Sequence, residues 1–236
     1  MLYIDLPDPS TRRLPFYLAM EEYVARTIHE DDCFFMWQVE PTVIFGRNQS
    51  VENEVNIEYC RANDIQMYRR KSGGGCVYAD LQNIMLSLVT RSDNVNLAFN
   101  QFVSNLLLVL RKMDISAVGT THNDILIGNR KVSGTACYHL AERCIVHSTL
   151  LYDTKMEHML RAITPDTEKL QKNGVQSVRQ RITLLKDHTT LSLEQVKALI
   201  RQTLCSHERQ LTSNDTALIE DIEQGYLQQE FIYQVK

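Results

Sequence analysis

The most constraining feature of this sequence is the run of three consecutive glycines at Gly73–Gly75. These are three of only nine glycines among 236 residues, and each costs roughly 0.5–1 kcal/mol of chain entropy relative to alanine. A plain turn between two strands rarely uses all three, so the fold must need bare backbone here. Arg69, Arg70 and Lys71 stand just before the glycines, and cationic side chains beside bare N–H groups suit a phosphate or carboxylate. We predict an anion-binding loop; a flexible surface loop with solvated basic residues is the alternative.

The pattern on both sides of this loop predicts strands. Runs rich in β-branched and aromatic residues indicate strands at 33–37, 42–45, 65–68, 76–78, 84–89, 124–127, 131–137 and 144–151. Gly128 and Asn129 supply a tight turn between two of these strands. Helical segments interrupt the strands, so we predict an α+β fold with mixed β-sheets flanked by helices.

Apolar spacing and capping residues predict the helices. One covers 15–28 and should pack a single stripe on a sheet, one covers 155–170, and one follows a capping box formed by Ser192 and Gln195. Another, capped by Ser92 or Asp93, presents a broad apolar face from 97 to 110, and we expect it to be the main core helix. The stretch 216–230 is weakly helical.

Composition and charge argue against several classes of function. With 25 Lys plus Arg against 29 Asp plus Glu, the net charge of −4 argues against a strongly basic nucleic-acid binder. No stretch approaches the roughly 18 apolar residues that span a bilayer, and no secretory signal opens the chain, so we expect a cytoplasmic protein without membrane contact. Six cysteines without a C-x-x-C pair, and seven histidines without an H-E-x-x-H pattern, argue against disulfides or zinc. No flexible linker is evident, and we expect residues 1–236 to form one domain.

A second informative segment surrounds Lys131. Strand alternation places Lys131 with Ser133 and Thr135 on one face, and the other face then carries Val132, Gly134 and Ala136. A lysine held among small neighbours can contact a carbonyl and a phosphate oxygen together and stabilise the charge that develops when an acyl phosphate is attacked. Taken alone, Lys131 is more often a surface lysine of a hairpin.

A third segment places His147, Thr149 and Leu151 on a common strand face. A lone strand histidine is usually structural, so His147 becomes a ligand candidate only beside the other two segments.

Together, and in this order, these segments resemble the lipoate-protein ligase family, whose fold is shared with biotin protein ligases. Four stretches carry the resemblance: RKSGGGCVYADLQN at 70–83, NDILIGNRKVSGTA at 123–136, HSTLL at 147–151 and GVQSVRQR at 174–181. Weaker similarity extends it to roughly residues 15–205, so the family's catalytic-domain fold is expected for most of the chain.

The resemblance implies a two-step reaction. Lipoate and MgATP give enzyme-bound lipoyl-AMP and pyrophosphate, and a lysine of an apo lipoyl domain then attacks the mixed anhydride. The implied substrates and cofactors are lipoate, ATP and Mg²⁺. The implied partners are lipoyl domains of 2-oxoacid dehydrogenase E2 subunits or the glycine-cleavage H protein. Many family members continue into a small accessory domain, which a separate chain could supply here; nucleic acid and membrane are not expected partners.

The resemblance also implies roles for individual residues. Lys131 would be the catalytic residue, in contact with the lipoyl carbonyl and the α-phosphate. Lipoyl and phosphate groups would be bound by Arg70, Ser72, Gly73, Gly74, Gly75, Ser133, Gly134, Thr135, Ala136 and His147. The adenylate would be bordered by Val77, Tyr78, Asn83, Asp124 and Thr149, with Asp124 also near Mg²⁺. The loop that closes over the adenylate would contain Ser177, Val178, Arg179 and Arg181.

Three positions depart from the family pattern, and they keep alternatives open. Ala79 replaces a common histidine, while Gln82 and Ser148 replace glycines, so altered pocket shape or nucleotide affinity is conceivable. The alternatives are a transferase that uses preformed lipoyl-AMP or an acylated carrier, and a binding module without turnover. Biotin ligation on the same fold is disfavoured by the H-x-T-L-L stretch.

Overall fold

The computed structural model describes residues 1–29, 31–121, 124–140, 142–163 and 181–234. The strands are β1 (Leu2–Asp5), β2 (Cys33–Trp37), β3 (Thr42–Phe45), β4 (Gln66–Arg69), β5 (Val77–Ala79), β6 (Asn83–Thr90), β7 (Ala117–Gly119), β8 (Asp124–Ile127), β9 (Arg130–Leu140), β10 (Arg143–Leu151) and β11 (His207–Gln210). The helices are α1 (Leu14–Thr27), α2 (Val51–Glu54), α3 (Ile57–Ala62), α4 (Val95–Lys112), α5 (Met156–Ala162), α6 (Leu193–Leu204), α7 (Ser213–Leu227) and α8 (Gln229–Tyr233).

The strands form two sheets. An eight-stranded sheet has the order β11-β1-β2-β6-β10-β9-β8-β7, and a three-stranded sheet has the order β4-β3-β5. Both are mixed, because β1 runs parallel to its two neighbours and β3 runs parallel to β4, whereas the other pairs are antiparallel. The predicted α+β class is confirmed.

Successive side chains along a strand of the large sheet belong to two different hydrophobic cores, one on each face. On β2, Phe35 and Trp37 join the core beneath α1, whereas Phe34 joins the core beneath α4 and α6. A third core lies under the small sheet and includes residues of α3 and α5. The layers therefore sandwich the long sheet between helices, as expected when each sheet face needs an apolar cover.

The main core helix is α1, so the prediction that α4 has this role was wrong. All twelve residues from Leu14 to Ala25 are buried, instead of a single stripe. Helix α7 covers the outer side of α1 and contributes Ile219 and Tyr226 to the same core. By contrast, α4 leaves Leu97 59% exposed.

Several element boundaries also differ from the prediction. Helix α4 is capped by Asn94, whose side chain accepts a hydrogen bond from the Leu97 N–H, and not by Ser92 or Asp93. The capping box of Ser192 and Gln195 is confirmed, with both of its hydrogen bonds present. Of the helix predicted at 155–170, the part after 163 lies outside the described residues. Strands β1, β7 and β11 were not predicted; β11 is exposed throughout and carries no apolar alternation.

The glycine-rich segment links β4 of the small sheet to β5, and it meets the large sheet at β10 through Ser72 and His147. The predicted turn at Gly128 joins β8 to β9, with Gly128 at φ +59°. No helix in the described part of the chain is long and apolar enough to cross a membrane.

Candidate active site

The side chain of Arg70 is hydrogen-bonded to the glycine-rich segment that follows it in the chain. Its guanidinium donates hydrogen bonds to the carbonyls of Gly73 (2.7 and 3.2 Å) and Gly75 (2.7 Å) and to Ser72 Oγ (3.0 Å). A further bond to the Ile44 carbonyl (3.0 Å) ties it to β3. The side chain is buried, and burial lowers the pKa of Arg70 to about 10, so it remains cationic at neutral pH.

Backbone geometry requires glycine at Gly74 in the loop and at Gly46 beside it, whereas a Cβ at Gly73 or Gly75 would meet open space. Gly74 has φ +89°, in the region that favours glycine, and a Cβ at neighbouring Gly46 would overlap the Gly74 carbonyl oxygen. Within the described ranges, no group accepts a hydrogen bond from the N–H of Gly73, Gly74 or Gly75. The loop therefore directs its carbonyls at Arg70 and leaves its N–H groups available to an acceptor.

Arg69 and Lys71, the other two cations beside the glycine loop, contact other groups of the protein. Arg69 is 1% exposed and donates to the carbonyls of five residues: Gly46, Arg47, Gln49, Phe231 and Ile232. Lys71 forms an ion pair with the buried Glu22, which also accepts from the Tyr226 hydroxyl. Of the three predicted anion-facing cations, Arg70 lines the first of the two cavities described below, and Arg69 and Lys71 line neither of them.

A β-bulge determines where Lys131 points. In the β8–β9 pairing, Ile125 faces Ser133 but the next residue, Leu126, faces Lys131, so Val132 is the extra residue. Val132 and Ser133 are both fully buried, and the Lys131 side chain passes over Gly134 instead. The predicted alternation was wrong at this point, because a bulge shifts every residue before it to the opposite face.

Lys131 is paired with Asp124 across the same hairpin. Its Nζ lies 2.8 Å from Asp124 Oδ1, and the two side chains are 40% and 30% exposed. A Cβ at Gly134 would lie 2.6 Å from both Nζ and Cε of Lys131. The lysine is thus held over bare backbone and remains accessible from the cleft.

His147 sits behind the loop. Its Nε2 is 2.7 Å from Ser72 Oγ, and its Nδ1 is 3.0 and 3.1 Å from the two oxygens of the buried Glu21. His147 also lines the first cavity described next, so it links the loop, the cavity and α1.

Two cavities meet at Lys131. The first, of about 240 Å³, has an apolar lining that sequence reasoning did not identify: Leu14, Leu18, Trp37, Ile44 and Met85. Its polar lining includes Arg70, Asp124, Lys131 and His147. The second, of about 250 Å³, is mainly apolar and includes Tyr78, Leu151, Met159, Ile163 and Ile182. Both are lined by Cys76, Val77, Lys131, Gly134 and Thr149, so they lie side by side, and we refer to the pair as the cleft.

Most of the predicted site residues come together at this cleft. The first cavity is also lined by Gly74, Gly75, Thr135 and Ala136. Ser72, Gly73, Ser133 and Asn83 line neither cavity; Asn83 is buried and donates to Thr154 Oγ1 (3.2 Å). Ser177, Val178 and Arg179 lie outside the described residues, and Arg181 is exposed. Ile163 and Ile182, on either side of the gap, both line the second cavity.

Of the three departures from the family pattern, Ser148 lines the first cavity, whereas Ala79 and Gln82 line neither cavity. The Ser148 hydroxyl oxygen lies 2.6 Å from Ser133 Oγ and donates to the Gly134 carbonyl (3.0 Å). Both contacts are made within the sheet. Gln82 is an exposed turn residue, and Ala79 is fully buried in the core beneath α1. None of their side chains fills the space in front of Lys131.

The two cysteines nearest the motifs are poor nucleophiles. Burial raises the pKa of Cys76 to about 12, and burial with Cys144 nearby raises the pKa of Cys137 to about 12. Because the thiolate is the reactive form, on the order of one molecule in ten thousand is reactive at either site at pH 8.

We therefore expect iodoacetamide to leave Cys76 and Cys137 unmodified in the folded protein at pH 7.5, with labelling increasing as the pH rises. Peptide mass spectrometry after timed exposure measures this, and urea-unfolded protein, in which all six cysteines react, is the control. Rapid stoichiometric labelling of either thiol in the folded protein would contradict the assignment.

A magnesium ion could be held here only with the help of a ligand. The described residues contain no group of three or more His, Cys, Asp or Glu side chains suited to a metal. Mg²⁺ bound with a nucleotide usually takes one or two carboxylates plus phosphate oxygens and water, and Asp124, which lines the first cavity beside Lys131, fits that mode.

A profile of the lipoyl protein ligase A/B catalytic domain matches residues 14–205. The chain is 32% identical over 213 residues to lipoate-protein ligase 1 of Staphylococcus aureus, covering 87% of this chain and 65% of that protein. It is 32% identical over 184 residues to a Bacillus subtilis lipoate-protein ligase, covering 77% and 55%. The chain thus spans 65% and 55% of these two relatives.

Solved structures show the same fold. The bi-partite lipoate protein ligase of Thermoplasma acidophilum superposes with a TM-score of 0.86 at 24% identity, covering 100% of this chain and 97% of that one. A lipoate-protein ligase A bound with ATP gives a TM-score of 0.80 at 23% identity, covering 98% and 96%. The likeness extends over the whole cleft-forming part of the chain.

Proposed function

The chain belongs to the family of lipoyl protein ligase A/B catalytic domains, and we propose that it activates lipoate with ATP and transfers the lipoyl group to a lysine of an apo lipoyl domain. Acceptors of this kind occur in 2-oxoacid dehydrogenase E2 subunits and the glycine-cleavage H protein.

One observation carries this proposal: a buried cation without a counter-charge. Arg70 is 5% exposed, and none of the described carboxylates pairs with it. Arg69 is likewise buried without a carboxylate partner, but Arg70 differs in that it lines the first cavity, where an uncompensated positive charge favours a bound anion. The loop N–H groups beside Arg70 are free as well. An anionic ligand in the first cavity supplies the missing partner.

The shapes of the two cavities fit the two halves of an acyl adenylate. The apolar wall formed from α1, β2, β3 and β6 suits the lipoyl chain. The second cavity, with Tyr78 and Thr149 in its lining, suits the nucleoside. The mixed anhydride then lies at the junction, between the glycine loop and Lys131.

The chemistry follows from this placement. A lipoate carboxylate oxygen attacks the α-phosphorus of ATP and pyrophosphate leaves; the acceptor lysine amine then attacks the lipoyl carbonyl and AMP leaves. Lys131 stabilises the negative charge that develops on phosphate and carbonyl oxygens in both steps. Asp124 orients Lys131 and would hold the nucleotide's Mg²⁺, whose role is to neutralise phosphate charge.

A transferase that uses preformed lipoyl-AMP is the second candidate, because the cavities at Lys131 would bind the adenylate whether it is formed there or arrives preformed. The version that forms a cysteine thioester is disfavoured by the raised pKa of Cys76 and Cys137.

The test is incubation of the purified chain with lipoate, MgATP and an apo lipoyl domain, followed by intact mass measurement of the acceptor. We expect one added lipoyl group that depends on ATP and is not replaced by biotin. Parallel reactions with synthetic lipoyl-AMP separate the two candidates: transfer from lipoyl-AMP alone would favour the second. No adduct from either donor would refute both.

A further inference from the structure

A buried row of hydrogen bonds runs from the wall of the first cavity to the glycine loop. The Trp37 indole N–H donates to Ser87 Oγ (2.9 Å), and the Ser87 hydroxyl donates to Glu21 Oε1 (2.6 Å). Glu21 contacts His147 Nδ1, His147 Nε2 contacts Ser72 Oγ (2.7 Å), and Ser72 Oγ accepts from Arg70 Nε (3.0 Å). The row joins β2, β6, α1 and β10 to the loop.

One assignment of donors and acceptors satisfies every partner in the row. Glu21 accepts from the Ser87 hydroxyl and from His147 Nδ1, which leaves Nε2 as an acceptor. The Ser72 oxygen receives the Arg70 N–H, and its own proton finds an acceptor at Nε2. Every donor in the row is then satisfied, as buried polar groups require.

The same connectivity occurs in serine nucleophile triads, where a carboxylate orients a histidine that activates a serine. The distances of 2.7 Å from serine to histidine and 3.0 Å from histidine to glutamate would suit that chemistry. Ser72, however, is fully buried and lines neither cavity, and its oxygen already accepts from Arg70. Substrate cannot reach the Ser72 hydroxyl. Ser72 is therefore not a nucleophile, and the hydrogen bonds support the position of the loop.

We propose that Glu21 is a positioning residue for the ligase reaction proposed above, acting through His147 and Ser72 to hold the glycine loop opposite Lys131. Glu21 is fully buried and lines neither cavity, so it acts through its neighbours and not on the substrate. The loop residues 71–76 belong to no strand, and one backbone bond, from the Arg47 N–H to the Ser72 carbonyl (2.9 Å), is joined by the side-chain bonds of Arg70 and His147 in fixing their position. A misplacement of about 1 Å near reacting groups can cost on the order of 100-fold in rate.

The conservative change Glu21→Gln tests this role. The amide keeps the volume but has one donor group: at the Oε2 position it faces His147 Nδ1, and at the Oε1 position it faces the Ser87 hydroxyl as well as Nδ1. In the first case the imidazole carries its proton on Nε2 and the Ser72 proton loses its acceptor; in the second the Ser87 proton loses its acceptor. Either way the row is broken at one bond while the core packing is kept.

We expect Glu21→Gln to lower kcat/KM for lipoyl transfer by roughly 10- to 100-fold, mainly through kcat, with little change in melting temperature. Glu223→Gln is the matched control, because Glu223 is a buried helix glutamate whose side chain pairs with Arg13 and lies outside the row. Equal activity of Glu21→Gln and the wild type would overturn the proposal.

A double-mutant cycle shows whether Glu21 acts through Ser72. If it does, the double variant Glu21→Gln/Ser72→Ala is as active as the less active of the two single variants. Multiplied losses would overturn the connection. Complete loss in Ser72→Ala, with an acylated serine in the wild type, would support the nucleophile instead.

NMR separates failure of this inference from failure of the ligase proposal. Nitrogen-15 spectra should show His147 protonated at Nδ1 in the wild type, and the amide signals of Gly73–Gly75 should shift in Glu21→Gln but not in Glu223→Gln. These signals are measured without substrate, so they hold even if lipoylation is absent. Unchanged loop signals in Glu21→Gln would overturn the positioning role.

Discussion

Lys131→Met is expected to reduce lipoyl transfer by about 10²–10³-fold while the protein stays folded, because one charge-stabilising donor is removed from the transition state. Methionine keeps the apolar stem that crosses Gly134 and loses only the ammonium group. Lys131 is 40% exposed and its ion pair with Asp124 is partly solvated, so its loss costs little stability.

Single-turnover transfer from synthetic lipoyl-AMP and ATP-dependent transfer should be measured side by side for this variant. Both should fall, because Lys131 lies where the two cavities join. Lys155→Met is the control, since Lys155 is exposed and lines neither cavity. Activity of Lys131→Met within twofold of the control would show that the lysine is a surface residue of the hairpin.

Gly134→Ala should also impair transfer, although no charged group is changed. The new Cβ would lie 2.6 Å from Lys131 Cε and Nζ, and the lysine end must move away. That movement is cheap for the fold, because the displaced atoms are the end of a flexible side chain. It is costly for the reaction, and we expect kcat/KM to fall by about 10- to 100-fold with the melting temperature nearly unchanged.

Gly225→Ala provides the matched control for this change. Gly225 lies in α7 with no heavy atom within 4 Å of a Cβ built on it, so alanine fits and should stabilise the helix by up to about 1 kcal/mol. Wild-type kinetics for Gly134→Ala would mean that the position of Lys131 over bare backbone is irrelevant to the reaction.

Local patterns were sufficient for much of the fold. The bounds of β2, β3 and β8 agree with the predicted runs, and the capping box at Ser192 was identified from two residues three positions apart. The burial of α1 was not predictable in this way. It depends on coverage by α7, a helix about 190 residues later in the chain whose own pattern is weak.

The candidate site shows the same difference between features set by local sequence and features set by distant residues. The glycine loop and the Lys131 strand were found from composition and spacing within short windows. The bulge at Val132 was missed because it depends on the register with β8. Glu21 was missed as a site residue because it lies 126 residues from His147, and His147 in turn lies 75 residues from Ser72. A buried glutamate pair on an otherwise apolar helix, Glu21 and Glu22, was the available signal.

A crystal structure of the chain with lipoyl-AMP bound tests the assignment of the cleft most directly. We expect the acyl phosphate at the junction of the two cavities, within hydrogen-bond distance of Lys131 Nζ and the loop N–H groups, with the lipoyl chain against Trp37. An adenylate bound elsewhere, or one whose acyl phosphate contacts neither Lys131 nor the glycine loop, would contradict it.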